Sequence, residues 1–184
     1  MKVRPARPDD SGAIAAIYAP HVLTGTASFE AVAPDAAAMR ARMAGSDGLY
    51  PWLVATGDDD DRVAGFAYAS AFGTRDAYRW AVETTVYVAD TAHRRGTGRL
   101  LCRALIDLLR AQGFTQAVAR IALPNQASIA LHEAIGFEPA GTFRRIGWKH
   151  GRWIDVGIWQ CALAEPANPP AEPTRFAALA PGDA

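Results

Sequence analysis

Residues 82–99 constrain this chain more than any other stretch. Val82 to Val88 alternates as a β-branched strand does, and His93-Arg94-Arg95-Gly96-Thr97-Gly98-Arg99 then opens a helix. Leu100, Leu101, Leu105, Leu108 and Leu109 recur at helical spacing along it. A strand delivered through a basic glycine turn into a helix is a layout for binding phosphate. Gly96 and Gly98 allow backbone conformations that a Cβ forbids and a close approach by a ligand, while the first N–H groups of the helix lack intrahelical partners. The helix dipole adds partial positive charge there, and Arg94, Arg95 and Arg99 add full charges, so a di- or triphosphate-like group fits. A P-loop is excluded because no Lys follows Gly98, and a dinucleotide fingerprint because Leu101 stands where its third small residue belongs. Taken alone, Arg-Arg-Gly-x-Gly reads equally well as a solvated basic turn.

A second segment shifts that balance. Leu123-Pro124-Asn125-Gln126-Ala127-Ser128 leads into Leu131-His132-Glu133-Ala134-Ile135-Gly136-Phe137. The glycine turn after a Val-Tyr-Val strand resembles the pyrophosphate loop of the GNAT acetyltransferases, and the later segment resembles that family's Asn-x-x-Ser and Leu-Tyr-x-x-x-Gly-Phe element. His93 replaces the usual Gln or Arg, and His132 stands where Tyr is common. Further stretches resemble the phosphinothricin and methionine sulfoximine acetyltransferases: Tyr50-Pro51-Trp52, Arg75 with Tyr78 and Trp80, Val82-Glu83-x-Thr85, and Lys149-His150-Gly151-x-Trp153-x-Asp155. The resemblance runs from about Val3 to Leu163, with Phe72 and Ile154 departing from it. It implies a mixed α/β fold, with a central, mostly antiparallel sheet, a splayed parallel pair and flanking helices. It also implies acetyl-CoA as cosubstrate and a homodimer formed through the Trp148–Trp159 region.

With 184 residues, half of them hydrophobic, the chain can bury one core and reads as a single domain over residues 1–163. Its formal net charge of zero argues against nucleic acid or an anionic membrane as a partner, since such binding needs a basic excess. Cys102 and Cys161 are too few for a disulfide framework or zinc site, no apolar run is long enough to span a membrane, and a cytoplasmic protein without a metal is expected. Lys2 to Ala6 reads as an edge strand, Asp9-Asp10-Ser11 as the cap of a first helix through Val22, and Pro34 to Met43 as a second helix. Leu49–Thr56 and Arg62–Ala71 read as strands around the acidic turn 57–61, whose aspartates are expected to be solvated. Gln116–Leu123 reads as a strand parallel to the central one, Asn125–Ile135 as a helix, and Phe137–Phe143 and Trp153–Leu163 as a closing pair. From Ala164 onward Pro166, Pro169, Pro170, Pro173 and Pro181 mark a tail expected to be mobile.

Several residues are candidates for chemistry. Glu83 shares a strand face with Thr85 and Tyr87 and can look into a cleft, although it can equally be a strand-end carboxylate paired with an arginine. The resemblance makes it a proposed base and makes His132 a catalytic group near the thioester sulfur. It also assigns pantetheine to the main chain of Val86, Tyr87 and Val88, and places the Thr24–Phe29 loop, with Phe29, over the acceptor. Asn125 and Ser128 are candidates for cofactor contacts, or for a helix cap and a first-turn hydroxyl. Arg75 and Tyr78, in turn chemistry leading into the central strand, are candidates for holding a substrate carboxylate. With these residues, the resemblance implies direct acetyl transfer onto the α-amine of a small amino acid analogue of the phosphinothricin or methionine sulfoximine type. The alternatives are a non-catalytic acyl-CoA sensor and an acetyltransferase for another small amine.

Overall fold

The alternation of Val82, Thr84 and Val86 with Glu83, Thr85 and Tyr87 builds the strand at the centre of a seven-stranded sheet. The computed structural model describes residues 1–176 apart from Asp47 and Asp59. In it the strands run in the order β1 (Lys2–Pro5), β2 (Trp52–Thr56), β3 (Val63–Ala71), β4 (Ala81–Val88), β5 (Gln116–Ala122), β7 (Arg152–Ala162) and β6 (Glu138–Lys149). Neighbours are antiparallel except β4 and β5, which run parallel because a helical crossover joins them. The mixed α/β architecture expected from the sequence is the one observed.

Helices α1 (Ser11–Leu23) and α2 (Ala36–Ala44) cover one face of the sheet, and α3 (Thr97–Gln112) and α4 (Gln126–Glu133) the other. On the α3 side Leu101, Leu105 and Leu109 bury against Val82, Ala117, Ala119 and Ile121. Burial of each such leucine is worth about 1.5–3 kcal/mol. On the α1 side Ile14, Tyr18, Val22 and Met39 close on Val54 and Phe66, with Tyr87 packed alongside. A period of two along β4 thus serves both layers, sending Val82 to α3 and Tyr87 to α1.

Element boundaries differ from the sequence reading where side chains compete for the backbone. Asp35, not Pro34, starts α2, because its carboxylate accepts the Ala38 N–H at 2.8 Å. β6 continues past Phe143 to Lys149 through an irregularity near Arg145, whose φ is +48°. In the acidic turn, Asp58 pairs with the chain's amino terminus and Asp61 with Arg4, so these two carboxylates tie down β1.

The tail is described only as far as residue 176, and residues 177–184 lie outside the described residues. Residues 164–176 carry almost no regular structure, as their prolines imply, yet they are bonded to the body. The Trp80 indole N–H donates to Ala171 O at 2.8 Å, and the Arg79 guanidinium pairs with Glu172. The Thr174 and Phe176 N–H groups donate to Gln112 O at 2.7 Å and Gly48 O at 2.8 Å. Gln112, 1% exposed, completes the seam by donating from Nε2 to Leu49 O and Thr174 O, both at 2.8 Å. Truncation after Ala164 strips the Gln112 amide of one acceptor and should lower unfolding free energy by about 1–3 kcal/mol. Denaturant melts of the full and shortened chains would test this, and an unchanged midpoint would deny the seam any role in stability.

Candidate active site

Glu83 pairs with Val118, and there the parallel ladder ends. β4 continues along β3 as far as Val88, and β5 along β7 as far as Ala122, so the two strands part with their outer sides still supported. The Thr84 hydroxyl, 3.4 Å from Val118 O, ties the strands where they begin to part. Beyond it opens a cavity of about 780 Å³ at the carboxyl ends of the parallel strands, the usual ligand position in such sheets. Val86, Tyr87 and Val88 form one wall, and Asn125, Ser128 and His132 of the α4 segment form another. Main-chain groups of β4 that would have faced β5 are left for a ligand.

At one end the cavity meets the glycine turn. His93 lines it and donates from Nε2 to Val88 O at 3.1 Å, while Arg94 through Arg99 continue away from the lining. Arg94 (φ +60°) and Gly96 (φ +79°) both take the left-handed conformation, and a Cβ at Gly96 would meet nothing within 4 Å. Gly98 does something else. A Cβ there would lie 3.2 Å from Leu131 Cδ2 and 3.5 Å from Val88 Cγ2, so this glycine lets α3 close on α4 and β4. Helical hydrogen bonding begins with Leu100 N–H to Gly96 O at 2.9 Å, leaving the amides before it directed outward beside the exposed Arg94, Arg95 and Arg99. Buried Thr97 anchors the turn through its hydroxyl to Ala92 O. Asn125 caps α4, accepting the Ser128 N–H at 3.1 Å, and also lines the cavity, so its structural and binding readings coexist.

The other end lies beneath the α1–α2 loop. Phe29 lines the cavity, and its ring rests where a Cβ of Gly147 would stand, so the β6 backbone needs glycine there. Lys149 Nζ donates to Ser28 O at 2.6 Å and His150 Nε2 to Gly25 O at 3.1 Å. Ser28 Oγ and Glu30 Oε1 each lie 2.7 Å from the Tyr18 hydroxyl, and Glu30 holds Arg42 through both oxygens. Its pairing with Arg42 keeps the Glu30 carboxyl below the ordinary range.

Several titratable groups that line the cavity have shifted affinities for protons, and Glu83 and His132 are among them. Burial pushes the Glu83 carboxyl up, opposed by the nearby Arg120 guanidinium. Burial holds the His132 imidazole down, opposed by the bond from its Nδ1 to Ser128 O at 2.8 Å. Because a carbonyl only accepts, Nδ1 carries the proton of the neutral ring, and the lone pair lies on Nε2. Glu83, Thr85, Phe29 and His132 all line this one cavity. Arg75 and Tyr78 do not, for both are exposed around a short 3₁₀ turn, and neither reaches the lining. Arg120 does reach it, and sequence reading missed it because alternation along β5 does not say which face opens where β4 departs.

A family model described as an acetyltransferase (GNAT) domain matches residues 3–158. The chain belongs to this family. It is 46% identical over 163 residues to a phosphinothricin N-acetyltransferase of Alcaligenes faecalis, covering 88% of this chain and 82% of that one. It is 40% identical over 128 residues to an L-methionine sulfoximine/L-methionine sulfone acetyltransferase of Pseudomonas aeruginosa, covering 70% and 69%. The crystal structure of a phosphinothricin acetyltransferase from Sinorhizobium meliloti in complex with AcCoA superposes with a TM-score of 0.87 at 37% identity, covering 95% of this chain and 97% of that one. The protein is thus an acetyltransferase with a GNAT fold. Among the described residues no cluster of three or more His, Cys, Asp or Glu is placed to hold a metal, and no helix is long and apolar enough to cross a membrane.

The contact between Gly147 and Phe29 yields a direct test of how the GNAT cavity is roofed. Gly147→Val should drive the Phe29 ring off β6, costing about 1–3 kcal/mol as an overpacking substitution, and expose the 24–35 loop to limited proteolysis. A cleavage pattern identical to that of the unaltered protein would show that the loop does not depend on this contact.

Proposed function

We propose that the enzyme transfers the acetyl group of acetyl-CoA directly to the α-amino group of a small amino acid analogue of the phosphinothricin or methionine sulfoximine type. The observation carrying this reading is that one cavity joins Glu83 and His132 to the unpaired edge of β4 and to the start of α4. The donor set fits a coenzyme A thioester. Outward amides and three arginines at the start of α3 suit its pyrophosphate, and the Val86–Val88 main chain suits its amide-bearing arm. Acetyl-CoA supplies the activated acyl group and a thiolate leaving group.

Glu83, raised in proton affinity and 24% exposed, takes a proton from the acceptor ammonium as it enters. Val86–Val88 orient the acyl carbonyl through main-chain groups, and His132 holds an Nε2 lone pair within the cavity wall. Cys102 takes no part, since it is buried and its thiol is pushed up to about 12, which supports transfer without an acyl-enzyme. The intact pair of Glu83 and His132, together with the family's named activities, favours a catalyst over a sensing module.

A homodimer belongs to this reading. Phe143, Ile146, Trp148 and Trp153 are 49–61% exposed on the β6–β7 hairpin, a concentration of apolar surface that a second copy would cover. Sedimentation at micromolar concentration should give a dimer, and Trp148→Glu a monomer; a monomeric unaltered protein would remove the inference. The two free, buried cysteines and balanced charge suit a cytoplasmic setting, which fractionation of cells would test.

Acceptor class is tested by thiol release from acetyl-CoA with a panel of α-amino acids bearing phosphinyl, sulfoximine or sulfone side chains. Turnover only with polyamines or other carboxylate-free amines would overturn it. For Glu83, Glu83→Gln should lower kcat/KM roughly 100-fold or more near neutral pH, within the range for general bases. That loss should shrink at alkaline pH, where bulk water deprotonates the ammonium unaided. A loss independent of pH would reassign Glu83 to positioning.

A further inference from the structure

Arg120 is the only arginine or lysine among the described residues lining the cavity. Its position follows from the register. Val118 lies opposite Glu83 at the last rung of the parallel ladder, and Arg120 is the next residue of β5 on that face, where β4 has moved away. Its side chain is 46% exposed, and Nε stands 3.4 Å from Glu83 Oε2, longer than a good charged hydrogen bond. Arg120 lines the cavity, and no partner other than Glu83 is found for its guanidinium among the described residues. The cavity's second carboxylate does not compete for it, because Glu30 is occupied by both terminal nitrogens of Arg42 at 2.7 and 2.8 Å.

An α-amino acid carries an ammonium and a carboxylate on one carbon. Glu83 and Arg120 present the complementary pair, a carboxylate and a guanidinium side by side at the strand fork. We propose that Arg120 receives the α-carboxylate of the acceptor through its guanidinium fork and thereby sets the α-amine against Glu83. This deepens the reading above and rests on it. The loose pairing with Glu83 is what such a role needs: the guanidinium is held near the site in the free enzyme, yet its stronger donors stay available. Arg75 does not fill that role from its exposed turn outside the cavity.

The test compares methionine sulfone with its carboxamide, and adds phosphinothricin, on the unaltered enzyme, Arg120→Ala and Arg120→Lys. Methionine sulfone has no anionic side chain, so its only oxyanion is the α-carboxylate. Arg120→Ala should raise KM for methionine sulfone by roughly 10- to 150-fold, the range for a lost charge-assisted hydrogen bond, and leave the carboxamide nearly unaffected. Arg120→Lys should recover part of the loss, because it restores charge without the fork. Unchanged acetyl-CoA affinity in Arg120→Ala would verify the fold of that variant. If acid and amide lose equally, Arg120 merely restrains Glu83 and the proposal fails while the acceptor class stands. A loss confined to phosphinothricin would assign Arg120 to the side-chain phosphinate and overturn the α-carboxylate assignment. An unaltered enzyme that acetylates none of the amino acids, but does acetylate other amines, would overturn the acceptor class and this inference with it.

Discussion

The cavity exists because β4 and β5 pair for only three rungs, Ala81 with Gln116, Val82 with Ala117 and Glu83 with Val118. A sheet interrupted in its middle leaves main-chain donors and acceptors without partners, and each that is buried unsatisfied costs about 1–3 kcal/mol. The fold tolerates the interruption because both strands keep their other neighbours, β3 and β7, along the whole open stretch. An amide-bearing guest laid along β4 can restore the missing pairing. Failure of the ladder and affinity for a ligand thus share one physical cause, and the glycine turn lies where such a guest would place its anionic end.

The acceptor end depends on contacts between elements far apart in sequence. The α1–α2 loop has no regular structure to hold Ser28 and Phe29 in place, and it is fixed by the end of the β6–β7 hairpin through Lys149, His150 and the bare backbone of Gly147. That explains why β6 is long. A hairpin ending near Phe143, as the turn-rich sequence suggests, would stop short of the loop and leave the cavity unroofed. The same length leaves Trp148 and Trp153 exposed at the hairpin tip, so roofing the pocket and presenting an apolar surface are linked.

Local signals were legible in the sequence wherever one element decides the outcome. The glycine turn, the leucine face of α3, the Asn125 cap and the face shared by Glu83, Thr85 and Tyr87 depend on neighbours within a few residues. What stayed hidden depends on distant partners. Proline content marked residues 164–176 as irregular, but whether they attach depends on Trp80 and Gln112, which composition does not see. Turn chemistry made Arg75 a candidate anion receptor, yet the 3₁₀ turn keeps it outside the lining. Arg120 looked like an ordinary strand residue because only the departure of β4 turns its face of β5 into a cavity wall.

Under the proposed transfer, proton accounting suits Glu83 and His132 to different tasks. Acetylating an ammonium removes two protons from nitrogen; the leaving sulfur takes one and the other must reach solvent. Glu83, beside half-exposed Arg120 and itself partly open to water, suits the first removal because it can discharge outward. His132, 5% exposed and edge-on to Phe137 at 5.1 Å between ring centroids, has little access to water. With Nδ1–H committed to Ser128 O and its affinity for protons lowered by burial, the resting ring is an acceptor and not an acid. It can protonate sulfur only after taking a proton, and the nitrogen releases its second one as the carbon–sulfur bond breaks. The depressed affinity then favours rapid transfer of that proton onward, so a buried histidine that would be a poor initial acid is suited to relaying the second proton from nitrogen to sulfur.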